Sequence, residues 1–140
     1  MSPIQTVELT VYPDDCDAYG HLSHAGFIGL FERARWEVFA RGPGMEVFRR
    51  DDAWPTVRKA TFEFHAGVFP LERLRFDITL THLGRTSFTL HHTARRELGK
   101  NGWSQSRCNW RDHQHFSTTV VTLLRQYRYT IVHSALRKLL

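Results

Sequence analysis

The stretch "DDCDAYGHLSHAGFIGLFERARWEVF", residues 14–39, decides how this chain is read. Three carboxylates, Asp14, Asp15 and Asp17, fall within four positions, followed by a Gly20-His21 turn and a long apolar run. Ser23 has the chemistry of a helix N-cap, a short side-chain oxygen placed where the first backbone N–H groups lack partners. From there Phe27, Leu30, Phe31, Ala34 and Val38 recur at helical spacing. Ile28, Trp36 and Phe39 widen that apolar face beyond a single stripe, so the helix needs cover on much of its surface. Arg33 with Glu37, and Glu37 with Arg41, add opposite charges four residues apart. "GPG" (42–44) ends the run. Like charges in front of a helix that must be buried have two explanations. They shape a solvated turn that caps the helix, or they hold an acid at the helix N-terminus for chemistry.

Around this helix the spacing changes from helical to alternating. "QTVELTVY" (5–12) puts Val7, Leu9 and Val11 on one face and Thr6, Glu8 and Thr10 on the other, which is strand spacing. "MEVFRRDDAWP" (45–55) is a connection or a short helical turn. "TVRKATFEF" (56–64) reads as a moderately regular strand. "RLRFDITLTHL" (73–83) and "TSFTLHHTARREL" (86–98) alternate cleanly, and "LGR" (83–85) joins them as an antiparallel hairpin. "GKNG" (99–102) is a further turn. The order of strand, long helix and antiparallel strands predicts one curved sheet wrapped around one central helix.

The totals narrow the class. The chain has 140 residues, 41% apolar and 24% charged, as expected of a soluble globular protein. No apolar run reaches the roughly 18 residues of a membrane span. "MSPIQTVELTV" lacks the basic segment and apolar block of a signal peptide. The two cysteines, Cys16 and Cys108, make no metal-spaced pair, and a reducing cytoplasm is the simpler setting. The net charge of +5 belongs entirely to residues 101–140, where six Lys/Arg face only Asp112. Residues 1–100 are neutral, so the charge is no nucleic-acid footprint of the domain. A basic tail that binds DNA or RNA is the weaker reading, and the tail carries no recognised motif.

The pattern D-x-D-x-x-G-H at Asp15, Asp17, Gly20 and His21, followed by a helix carrying "FERAR" (31–35), resembles the hotdog-fold acyl-CoA thioesterases. Within them it is most similar to the 4-hydroxybenzoyl-CoA thioesterase-like group. "FEFHAGVFPLERLRFDITLTHLGRTSFTLHHTARRELGKNG" continues the likeness, which covers about residues 5–102. The resemblance implies an α+β hotdog fold and the hydrolysis of acyl-CoA to a free acid and coenzyme A. It implies that Asp17 is the nucleophile or general base and that a backbone N–H near His24 binds the thioester oxygen. It also implies a homodimer or homotetramer, with no metal or redox cofactor. Both site roles make physical sense. A helix N-terminus presents unpaired N–H groups and partial positive charge to a developing oxyanion. A carboxylate attacks or takes a proton without a separate activating base. The neighbouring Asp14 and Asp15 are expected to raise one another's proton affinity.

Each candidate also has a plainer role. Asp17 is open to being a loop or capping carboxylate, and Asp15 is read as structural, accepting backbone N–H groups in the turn. Gly20 supports the turn. His21 and His24 orient substrate or pack the helix start. Glu32 is read as a buried polar anchor to the Asp17 loop. Arg58, Lys59, Arg85, Arg95 and Arg96 suit coenzyme A phosphates or solvated strand faces equally. His91 and His92 point to opposite faces of their strand and do not easily share a metal, and "HQH" (113–115) has chelating spacing but lies in the atypical tail, where chelation is the weaker reading. Cys16, flanked by acids, is expected to have a raised pKa and to be a dull nucleophile.

Several positions depart from the family pattern. "GHLSH" (20–24) replaces the common Gly-His-Val-Asn-Asn, Phe27 lacks a hydroxyl, and Gly67 stands where a proline is usual. After Gly102 the expected last strand is replaced by "WSQSRCNWRDHQHF", which does not alternate. With permissible codons, "GWSQSRCNW" reads one phase over as "LVAIKVQL", the strand the fold expects. Residues 1–102 are therefore read as the hotdog domain and 103–140 as an atypical basic segment. That segment is either frame-shifted or a genuine tail supplying strands through "FSTTVVTLLRQYRYTIV" (116–132). A sheet without its last strand would leave an open edge. A non-catalytic acyl-CoA-binding hotdog protein is the alternative function.

Overall fold

A computed structural model describes residues 5–41, 44–50, 54–64, 67–84, 87–96 and 115–125. Strand β1 spans Gln5–Thr10, helix α1 His24–Ala40, helix α2 Gly44–Arg50 and strand β2 Trp54–Glu63. Strands β3 (Arg73–Leu83), β4 (Ser87–Arg96) and β5 (His115–Arg125) follow. All five form one antiparallel sheet in the order β1-β3-β4-β5-β2. One antiparallel sheet with one long helix against it is what the order of periodicities predicts, and it is the α+β hotdog arrangement that the resemblance implies.

Helix α1 lies against the inner face of β1, β3 and β4. Leu74, Phe76 and Ile78 on β3, and Phe88, Leu90 and Ala94 on β4, are buried against Phe27, Leu30, Phe31, Ala34 and Val38. Burying a side chain of this size contributes about 1.5–3 kcal/mol. Phe31 meets the edge of Phe76 at 5.2 Å, and Phe39 meets Phe88 at 6.2 Å between ring centroids. His92 is fully buried on the inner face, edge-to-face with Phe31 at 5.8 Å between ring centroids. His91, one residue back, is half-buried on the other face.

The apolar face of α1 is narrower than its composition suggests. Phe39 is buried, but Ile28 points outward. Arg35, in contrast, is buried although it is charged. Desolvation pulls its guanidinium below the ordinary arginine value, and Glu32 partly offsets this.

The segment read as a connection or helical turn forms α2. Its Phe48 is buried against Phe39 at 5.3 Å. The β3–β4 hairpin closes with Gly84 N–H donating to Ser87 O at 2.8 Å. Strand β5 occupies the place between β4 and β2, so residues 115–125 lie inside the sheet. Residues 42–43 of the "GPG" stop (42–44), the "GKNG" turn and residues 103–114, where the frame-shift reading falls, lie outside the described residues, as do 126–140. Among the described residues no helix is long and apolar enough to cross a membrane.

Candidate active site

The loop between β1 and α1 is built almost entirely from its own backbone. After Tyr12 the chain makes one 3-10 turn over Pro13–Asp15. Asp15 N–H donates to Tyr12 O at 3.0 Å, and the Asp15 carboxylate accepts from Tyr12 N–H at 3.0 Å. The Asp15 carboxylate thus bonds a backbone N–H within the turn. Its carbonyl also accepts from Ser23 N–H at 3.1 Å and from Ser23 Oγ–H at 3.0 Å. Ser23 Oγ in turn accepts from Gly26 N–H at 3.0 Å, which makes it the N-cap of α1.

Gly26 is a site residue that the periodicity did not single out. A Cβ placed there would lie 2.1 Å from Asp15 O, so the loop carbonyl rests where any other residue would carry its side chain. The signal was the glycine itself, three positions after a cap residue. Gly29, one turn further on, has nothing within 4 Å of the equivalent point.

Asp17 opens the second half of the loop, and its side chain is exposed. Its Oδ1 accepts from Tyr19 N–H at 2.9 Å and from His21 N–H at 3.3 Å. Its backbone N–H donates to His21 O at 2.8 Å, and its carbonyl accepts from Gly20 N–H at 3.0 Å. Gly20 sits at φ +78°, a left-handed conformation that glycine adopts without a Cβ clash. Among the described residues, Oδ2 takes no hydrogen bond. The same holds for the backbone N–H groups of His24 and Ala25, because Ser23 caps only that of Gly26. Half-buried Cys16 donates to Tyr12 O at 3.5 Å. Desolvation first, and then Asp15, Asp17 and Asp14, hold its thiol above the ordinary value, so it stays protonated.

Aromatic rings from the loop after β2 flank this turn. His21 meets the edge of Phe69 at 4.8 Å, and His24 packs on Phe64 at 4.9 Å. Phe64 also contacts Phe27 at 5.3 Å. A Cβ at Gly67, where the family usually has proline, would stand 3.8 Å from the His21 ring. Leu22 N–H donates to the carbonyl of buried Val68 at 2.7 Å, tying the two loops together.

The outer candidates separate. Glu32 is not the buried anchor expected of it. Its side chain is 57% exposed and pairs with Arg35, one turn further along the helix, at 3.6 Å. Arg58 and Lys59 are exposed on β2, and Arg95 is exposed on β4. In the strand register Lys59 is level with Thr89 through Val121, six residues from Arg95. At a rise of about 3.4 Å per residue that is roughly 20 Å, so one chain does not gather these charges into a single cluster. Arg96 turns inward to Glu72 instead of outward. Arg85 and His113 and Gln114 of the "HQH" stretch lie outside the described residues.

This geometry places the chain among the hotdog proteins, and comparison with known proteins narrows the class. Residues 11–129 match the family described as the thioesterase-like superfamily, and the chain belongs to it. The match runs past Gly102, where the sequence departs from the expected strand. No curated protein matches the chain by sequence. Among solved structures, the 4-hydroxybenzoyl-CoA thioesterase of Pseudomonas sp. strain CBS-3 superposes with a TM-score of 0.73 at 12% identity, covering 98% of this chain and 99% of that one. A 1,4-dihydroxy-2-naphthoyl-CoA thioesterase from Synechocystis gives 0.68 at 15% identity, covering 90% and 85%. A Staphylococcus aureus protein solved in complex with CoA gives 0.75 at 10%, covering 99% and 83%.

Proposed function

We propose that this chain hydrolyses acyl-CoA thioesters to free acid and coenzyme A. The observation that carries the reading is an exposed carboxylate, Asp17, whose Oδ2 takes no hydrogen bond among the described residues, in the loop that runs directly into the start of α1. There the N–H groups of His24 and Ala25 have no partner among the described residues. The helix N-terminus stabilises the negative charge that develops on the thioester oxygen. Asp17 then attacks the carbonyl carbon, or takes a proton from the water that does. The bonds from Tyr19 and His21 fix Oδ1 and so set the direction of Oδ2. His21 and Gly20 support the loop, and Asp15 supports its first turn. Arg58, Lys59, Arg85 and Arg95 are the cations offered to coenzyme A phosphates.

The working unit in this reading is a homodimer or homotetramer. The separation of Arg95 from Arg58 and Lys59 supports it, since a second copy is needed to bring such charges to one ligand. So does β2, none of whose residues is buried in the single chain. The test is a panel of aryl- and alkyl-CoA thioesters with detection of the free thiol. Release of thiol from at least one is the expected result. Binding of CoA thioesters without release from any would instead favour a non-catalytic acyl-CoA-binding protein.

A further inference from the structure

The turn that leads into β3 carries an ion pair outside the Asp17 loop. Glu72 and Arg96 stand at one end of β3 and β4, on the inner side of the sheet. Arg96 Nη1 lies 3.2 Å from Glu72 Oε1 and 3.4 Å from Oε2. The Arg96 side chain is only 15% exposed and that of Glu72 only 21%. Glu72 Oε2 also accepts from Phe69 N–H at 3.0 Å, so one carboxylate joins a cation on β4 to the backbone of the turn. Such charge-assisted bonds are stronger than neutral ones. Glu8 and Arg73 form a pair of the same chemistry on the outer face, but those side chains are about half exposed, at 47% and 55%, and Glu8 holds no loop. Exposed pairs of that kind contribute little.

The turn needs holding. Leu71 has φ +68°, a left-handed conformation that is strained for a residue carrying a Cβ. Such a conformation persists where its neighbours over-determine it. Here Leu71 N–H donates to Val11 O at 2.7 Å, Val11 N–H to Glu72 O at 2.9 Å, and Glu72 N–H to Phe69 O at 3.3 Å.

From this turn the contacts run to the site without a break. Phe69 lies edge-on to His21, and Val68 O holds Leu22 N–H. His21 N–H meets Asp17 Oδ1, and Asp17 N–H meets His21 O. We propose that Glu72 and Arg96 are positioning residues, fixing the Phe69 turn against which His21, and through it the Asp17 carboxylate, is set. The proposal rests on Asp17 as the reacting group.

The test compares Glu72→Ala, Glu72→Gln, Arg96→Ala and Arg96→Lys with Glu8→Ala as the outer-face control. It uses a CoA thioester that the wild type turns over, together with amide NMR of the same variants. Glu72→Ala and Arg96→Ala are expected to lower kcat on the order of tenfold with KM within about twofold. Glu72→Gln, which keeps the acceptor for Phe69 N–H, and Arg96→Lys, which keeps the charge, recover part of the rate. The His21 and Asp17 amide signals move in the Ala variants and stay in place in Glu8→Ala. Added to Asp17→Asn, Glu72→Ala costs no further rate. Should Glu72→Ala fail to fold, Glu72→Gln and Arg96→Lys decide by the same two readouts. The proposal is overturned if kcat matches the Glu8→Ala control and the two amides do not move. An Asp17→Asn enzyme of full activity would sink the catalytic reading instead, and the amide shifts would still decide the clamp.

Discussion

Strands β3 and β2 have nearly equal length, 11 and 10 residues, and belong to one sheet, yet their surroundings differ. On β3, Leu74, Phe76 and Ile78 are fully buried beneath α1. On β2 no residue is buried, and Val57 keeps 43% of its surface exposed. The same contrast divides the helix. Its first turn is pressed against the Asp15 carbonyl at Gly26, whereas Gly29 faces open space. One chain therefore completes the covered half, which holds the Asp17 loop, and leaves the β2 side uncovered.

Substitutions break or sharpen that contrast in order of size. Phe76→Ala empties space against Phe31 and is expected to cost about 3–5 kcal/mol in urea unfolding. A cost as small as that of an exposed residue would mean that α1 does not cover β3. Gly26→Ala drives a Cβ into the Asp15 carbonyl and is expected to cost about 1–3 kcal/mol, with hydrolysis falling because the loop must shift. Unchanged stability and rate would show that loop and helix are not in contact. At Gly29 the same substitution meets nothing and removes backbone freedom, so a gain of about 0.5–1 kcal/mol is expected by thermal unfolding. A loss there would show that another chain or a ligand packs against that face. Val57→Ala on β2 should change the stability of the isolated chain by less than about 0.5 kcal/mol. A larger loss that grows with protein concentration would locate a subunit interface on this strand.

The contrast also explains what was legible in the sequence. Alternation through Leu74, Phe76 and Ile78, and through Phe88, Leu90, His92 and Ala94, is clean because one face of each strand is buried. Strand β2 alternates poorly because neither of its faces is buried in the chain. Ser23 was legible as a cap because the chemistry of a cap is local. Ile28 is exposed although its spacing suits the apolar face, because helical spacing gives the angle around α1 but not how far the sheet reaches around it. The bond from Asp15 O to the helix start, and the bridge from Glu72 to Arg96, join residues 8 and 24 positions apart through backbone atoms or a chosen rotamer. No periodicity carries that information. Gly26 left only the trace of a glycine in a helix, where alanine would otherwise serve better.

The central claim is that the carboxylate of Asp17 carries out the chemistry at the start of α1. It is tested most directly by the steady-state rate of Asp17→Asn on a CoA thioester the wild type hydrolyses, with folding checked by circular dichroism. The amide still accepts from Tyr19 and His21 but neither attacks nor takes a proton, so kcat should fall by about 10²–10⁴ with the fold intact. A folded Asp17→Asn protein that hydrolyses the thioester as fast as the wild type would contradict the account.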